Sequence, residues 1–224
     1  MVKTAYPPIS GENKLKPLFH TLKKGTFLYR IFSPEFNPTA LTFRHWGPLG
    51  RFDHQRCNLP DYCYAVRTCE PSYDSERGIS YFAPTISSCL VEVFGDVGII
   101  QITDHRIGLV TPKLDLNLLD IRNQGAMRAG ANEATLAKIP DRGVSQAWSR
   151  YFYEQPQIYS QIHGIIYGNA HNNEDAIALY ERAEEFLRLE EELSLKHKDL
   201  RRTILNAARD NSLIVEPYEL GVRV

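Results

Sequence analysis

The stretch Gly78-Ile79-Ser80-Tyr81-Phe82-Ala83-Pro84-Thr85, running on into Ile86-Ser87-Ser88-Cys89-Leu90-Val91-Glu92-Val93-Phe94, decides the fold class. Ile79 to Ala83 is a short β-rich run bounded by Gly78 and Pro84, and is predicted to be a strand. From Ile86 the pattern changes, because Ile86, Cys89, Leu90 and Val93 recur at the steps of one helix face. Thr85 stands where its hydroxyl can accept from a backbone N–H of the first turn, so a helix is predicted to begin directly after it. The stretch therefore reads as strand, turn and helix in succession.

Upstream, Thr26 to Phe32 is dense in apolar and aromatic residues and reads as a first core strand, ended by Ser33, Pro34, Asn37 and Pro38. Trp46 to Asp53 combines turn formers with Arg51, which places that arginine on a loop near a strand. Met1 to Leu22, with Pro7, Pro8, Gly11 and Pro17, favours an extended arm that docks on the domain or on a second copy of the chain. Residues 58–76 read as an insertion. Downstream, Val97 to Thr103, Ile107 to Thr111, Leu116 to Ile121 and Gly164 to Tyr167 are predicted strands, and Gly143 to Glu154 a helix stopped by Pro156. Asn173 to Leu195 is predicted to be one long helix capped at Asn172 or Asn173, since Ala176, Leu179, Tyr180, Ala183, Phe186, Leu187 and Leu193 keep to helical steps. Glu190-Glu191-Glu192 and the following basic residues then fall on its solvated face. Leu200 to Arg209 is predicted to be a last helix.

The 224 residues are 43% hydrophobic, enough for one ordinary core, and the net charge of −1 gives no global field that would draw in nucleic acid or an anionic membrane. No run approaches the length of a membrane span and Met1 to Lys24 has no apolar stretch of signal-peptide length, so a cytoplasmic protein is expected. Cys57, Cys63 and Cys69 recur at every sixth residue, with Cys89 alone, which fits neither a zinc knuckle nor a disulfide scaffold; reduced thiols and no metal are expected. Zincin, phosphate-loop, Rossmann and Gly-x-Ser-x-Gly signatures are absent.

What remains are polar residues set inside apolar segments, where burial is costly unless the group is paired or has a task. Arg30 lies among Phe27, Leu28, Ile31 and Phe32; Arg51 between Gly50 and Phe52; Glu92 inside an apolar helix; Tyr81 in its strand. Each has an ordinary reading when taken singly: an edge-strand arginine, a loop salt bridge, a glutamate facing water, a core tyrosine.

In order, however, Leu28-Tyr29-Arg30-Ile31, Gly50-Arg51-Phe52-Asp53, Gly78 to Pro84 and Leu90-Val91-Glu92-Val93-Phe94 resemble the RES domain family, named for an arginine, a glutamate and a serine. Leu119-Asp120-Ile121-Arg122, Ser145-Gln146-Ala147-Trp148, His163-Gly164-Ile165-Ile166-Tyr167 and Ala178-Leu179-Tyr180 continue the likeness. The resemblance covers a RES domain over 25–182, about two-thirds of the chain, and leaves outside it an arm over 1–24 and a helical extension over 183–224 expected to pack on the same domain. It also implies an α+β fold like that of the ADP-ribosyltransferases, with a cleft between two small sheets and flanking helices. The implied activity is cleavage of the nicotinamide–ribose bond of NAD, a substrate rather than a cofactor, with water, inorganic phosphate or a protein as acceptor. The implied partner is a helix-turn-helix antitoxin. On the same resemblance Glu92 and Arg30 form the catalytic set, Arg30 and Arg51 hold the diphosphate or ribose, and Tyr81 packs against the nicotinamide end. For the third family residue the candidates are Ser145 and Asn169, which stands where the family carries serine two residues after the tyrosine of Gly-Ile-x-Tyr.

The residue types suit that chemistry. Breaking the bond builds positive charge on the ribose, which a fixed carboxylate stabilises, while nicotinamide leaves neutral and needs no general acid. Arginines on the diphosphate orient the reacting end. Two other readings use the same residues: a protein that binds NAD or ADP-ribose without turnover, and an interaction protein whose charged helix from Glu181 to Arg202 contacts a partner.

Overall fold

The computed structural model describes residues 6–7, 15–57, 69–102, 104–131 and 136–216. In chain order the strands and helices are β1 (Leu18–Leu22), β2 (Leu28–Phe32), β3 (Trp46–Gly47), β4 (Ser72–Tyr73), β5 (Ile79–Phe82), α1 (Ile86–Phe94), β6 (Ile99–Ile100), β7 (Arg106–Pro112) and β8 (Leu116–Asp120). They continue with α2 (Gly125–Arg128), α3 (Arg142–Glu154), α4 (Pro156–Tyr159), β9 (Gly164–Gly168), β10 (Asp175–Tyr180), β11 (Leu187–Ser194), α5 (Arg201–Asp210) and β12 (Ile214–Val215). The α+β expectation holds, and no described helix is long and apolar enough to cross a membrane.

Two sheets carry the architecture. A five-stranded sheet has the order β1-β8-β9-β10-β5, antiparallel except for the β8/β9 pair, and a three-stranded antiparallel sheet has the order β11-β7-β2. Between them Leu28, Phe32, Phe82, Val110, Leu118, Ile177 and Leu179 form one buried cluster. The outer face of the larger sheet packs on α3 and its neighbours through Trp148, Phe152, Tyr159, Ile165 and Tyr180. On the outer face of the smaller sheet Ile31 and Ile107 meet Leu90 and Phe94 of α1 and Ile204 and Ala207 of α5. The sheets touch where Tyr29 and Ala83 exchange backbone hydrogen bonds of 2.8 and 2.9 Å. Beyond that bridge β2 and β5 part, and a cleft opens between the sheets.

The strand, turn and helix at Ile79 to Phe94 form as their sequence predicts. The Thr85 hydroxyl accepts from the Ser88 N–H at 3.0 Å and donates to Glu174, so the start of α1 is fixed on both sides. The predicted helix over Asn173 to Leu195 does not exist. Asn169 to Glu174 is the turn of a β9/β10 hairpin in which Asn173 takes a φ of 65°; a 3-10 segment over Glu181–Phe186 follows, and then β11. Both faces of β10 are buried, so its apolar residues form a continuous run that satisfies a helical template as readily as a strand. The glutamates of 190–192 lie instead on β11, an edge strand with a bulge between Leu189 and Glu191, where charge discourages pairing with another chain. The extension over 183–224 is therefore strand as well as helix, and the charged helix from Glu181 to Arg202 as a partner surface falls away.

The arm docks on the domain, because its residues 18–22 become β1 against β8. Cys57 and Cys69 form a disulfide across a Cα separation of 5.4 Å, contrary to the expected thiols. Antiparallel β3 and β4 bring the flanks of the insertion together, which the spacing of cysteines along the chain does not reveal. Cys89 is a buried free thiol, and Cys63 lies outside the described residues.

Candidate functional site

The loop bearing Arg51 is built on a fully buried carboxylate. Asp53 takes both oxygens' worth of one Arg44 Nη group at 3.0 and 2.8 Å, the N–H groups of Leu49 and Gly50 at 2.6 and 2.9 Å, and the Tyr81 hydroxyl at 2.7 Å. The Tyr81 oxygen in turn accepts the Phe52 N–H at 3.0 Å. From the other side α3 holds the same loop, with Gln146 donating to the Gly50 carbonyl at 2.9 Å and Ser149 to that of Phe52 at 2.6 Å. A side chain on Gly50 would come within 2.6 Å of the Tyr81 oxygen and 2.7 Å of Asp53, so this close approach needs glycine. Fixed in this way, Arg51 reaches across the chain to the Ile139 carbonyl at 2.5 Å and lines the cleft.

The cleft measures about 320 Å3, within the range of small-molecule sites. Four residues far apart in sequence, Arg30, Arg51, Tyr81 and Glu92, line it together. Glu92 projects from α1 as a solvent-accessible residue that lines the cleft, and the protein packed around it pushes its carboxyl up to about 7, against the opposing pull of Arg51 and of a hydrogen bond from Tyr167. The Tyr167 hydroxyl itself is pushed well above its ordinary value by burial and by the Glu92 charge, which keeps it a donor. A carboxyl poised near neutrality, facing an arginine inside a concave site, is the kind of group that marks a reaction centre.

Arg30 is more occupied than a free anion receptor. It is almost fully buried, its Nη1 donates to the carbonyls of Ala40 and Thr42, and its Nη2 donates to Asn37 at 2.9 Å. Burial and the neighbouring Arg44 charge lower its value to about 10, which leaves it cationic. The 37–42 loop is thereby pinned as one cleft wall, and the guanidinium charge still faces the cavity.

Ser145 and Asn169 do not line the cleft. Ser145 is buried in α3, where its hydroxyl donates to the Leu136 carbonyl at 3.0 Å. Asn169 is fully buried as the organiser of the hairpin turn: its Oδ1 accepts from the N–H groups of His171 and Asn172 at 3.0 and 2.9 Å, and its Nδ2 donates to Asn172 and Ser88. Its effect is to place Ala170 and His171, which do line the cleft.

Six further residues belong to the site. Arg44 and Asp53 set the loop, Tyr167 meets Glu92, and Asp96, Arg142 and His171 meet at the mouth, with Asp96 3.2 Å from Arg142 and 3.5 Å from His171. Asp53 and Tyr167 carry a signal in the sequence, a polar atom in an otherwise apolar block. The mouth residues carry none, since they come from the turn after α1, the start of α3 and the β9/β10 turn. Arginines outnumber carboxylates around the cavity, which suits an anionic ligand. Among the described residues no group of His, Cys, Asp or Glu is gathered for a metal ion.

No curated protein matches the chain. Among solved structures it is similar to the M. tuberculosis MbcT-MbcA toxin-antitoxin complex, at 16% identity over 78% of this chain and 86% of that one, with a TM-score of 0.47. Residues 27–203, from the start of β2 into α5, match the RES domain family model. With Arg30, Arg51, Tyr81 and Glu92 all inside that span, the chain belongs to the RES domain family.

Proposed function

We propose that the protein cleaves the nicotinamide–ribose bond of NAD, as a glycohydrolase or, with inorganic phosphate as acceptor, a phosphorylase. The observation that supports this reading is the meeting of the Glu92 carboxyl and the Arg51 guanidinium in one cationic cleft. Arg51, with the charge of Arg30 behind it, would hold the diphosphate. Tyr81, stiffened by Asp53, would support the nicotinamide end, and ionised Glu92 would face the ribose carbon as positive charge develops there. Tyr167 would keep Glu92 in that orientation. On family membership we also propose that the chain acts as a toxin restrained by a helix-turn-helix antitoxin, in the cytoplasm.

Incubation of the purified protein with NAD, with and without phosphate, followed by separation of the products, tests the reaction. Release of nicotinamide by the wild type and its loss in Glu92→Gln is the expected result. Intact NAD under both conditions refutes the reaction, and saturable NAD binding without nicotinamide release would favour a binding protein instead.

A further inference from the structure

Resting on the NAD reading, we infer that His171 is the base that takes the proton from the acceptor water, with Asp96 as its positioning residue. His171 lines the same cleft as Glu92 and is accessible from it. Its place is set by the turn, because its N–H is tied to Asn169 at 3.0 Å, and its ring lies so close to Gly95 that a side chain there would stand 2.7 Å from Cδ2. Nε2 faces the Asp96 carboxylate at 3.5 Å, an arrangement that favours the proton on Nε2 and leaves the Nδ1 lone pair as acceptor. Among the described residues no group hydrogen-bonds Nδ1. Asp96 stands in the turn directly after α1, four residues beyond Glu92, and its charge acts on the Glu92 carboxyl, so the group that positions His171 is close to the carboxylate proposed to face the ribose.

The chemistry requires such a group. The bond between the ribose C1′ and the nicotinamide nitrogen breaks, its electron pair neutralises the pyridinium, and a water oxygen bonds to C1′. That water must then lose a proton. Glu92 is hydrogen-bonded by Tyr167 and, in the proposed reaction, is engaged with the developing ribose charge. The His171 imidazole takes it at Nδ1 and returns it to solvent. The charged and titratable groups around His171 are Asp96 beyond the end of α1, Glu92 on α1, Arg142 on α3, Arg51 on its loop and Tyr167 on β9.

The test compares water with azide, an acceptor that has no proton to lose. His171→Gln is expected to lower kcat for NAD hydrolysis about 100-fold with KM within threefold. Azidolysis at saturating azide should stay within about threefold of wild type. Asp96→Asn should show the same selectivity with a smaller loss. A parallel fall in both reactions would make His171 a structural or binding residue and overturn the inference, as would an unchanged rate of hydrolysis or a rise confined to KM. Wild-type protein that releases no nicotinamide would refute the underlying reaction, which is a separate result from wild-type turnover insensitive to His171.

Discussion

Replacing Asp53 by asparagine should weaken the fold and the site together, because that one carboxylate joins the Arg51 loop to β5. Asp53 is inaccessible to water and accepts from Arg44 through both oxygens, from two backbone N–H groups and from Tyr81. Asparagine keeps the shape but turns one acceptor into a donor. If its amide occupies the Oδ2 position, it meets the N–H groups of Leu49 and Gly50 and the Arg44 guanidinium; in the other orientation it meets the Tyr81 hydroxyl and the same guanidinium. Either way the ion pair is lost and at least one buried donor is left without an acceptor, a loss of about 3–5 kcal/mol. Typical domains are stable by about 5–15 kcal/mol, so the variant should still fold at low temperature. Urea unfolding of Asp53→Asn, Arg44→Met and the double variant would read the loss and its coupling, expected at about 0.5–3 kcal/mol. In folded Asp53→Asn, ADP-ribose should bind more weakly as Arg51 loses its fixed position. A destabilisation below about 1 kcal/mol, or full additivity of the two substitutions, would refute the account of Asp53 as the centre of the site.

Four further outcomes follow from particular contacts. Glu92→Gln should reduce nicotinamide release at least about 100-fold while leaving the unfolding curve nearly unchanged at low pH, since it removes transition-state charge and little packing; retained turnover would remove Glu92 from the reaction. Because the carboxyl is raised to about 7, wild-type activity in the free enzyme should fall as pH drops below that value, and the stability that the protonated form contributes should be lost as pH rises from about 4.5 through 7. Glu92→Gln should therefore gain on wild type in melting temperature between pH 5 and pH 8, and a constant difference would contradict the shift. Reducing the Cys57–Cys69 disulfide, which closes a sequence separation of 12, should lower stability by about 3 kcal/mol, and identical urea midpoints with and without reductant would count against it. Thr85→Ala should cost about 1 kcal/mol through the lost cap of α1, measurable as a shift of the urea midpoint at constant slope.

By itself the sequence determined the elements whose apolar period is unambiguous. Ile79 to Phe94 switches from strand to helix at a proline and a capping threonine, and Gly143 to Glu154, though buried from Val144 to Phe152, is bounded by its Asp141 cap and by Pro156, so local chemistry specifies them. The ordered blocks around Arg30, Arg51, Tyr81 and Glu92 likewise pointed to residues that meet in one cleft. Only the tertiary structure decided that Asn173 to Leu195 is a hairpin strand, a 3-10 turn and an edge strand. β10, buried on both faces, has no period to read, and the state of the whole segment depends on the β5, β9 and β7 neighbours that pair with it. The same holds for Ser145 and Asn169, which the chain order offered as ligands and the fold turned toward backbone partners. The mouth at Asp96, Arg142 and His171 exists only because two turns and the start of α3 converge in space, and polar contacts between such distant segments leave no pattern along a chain.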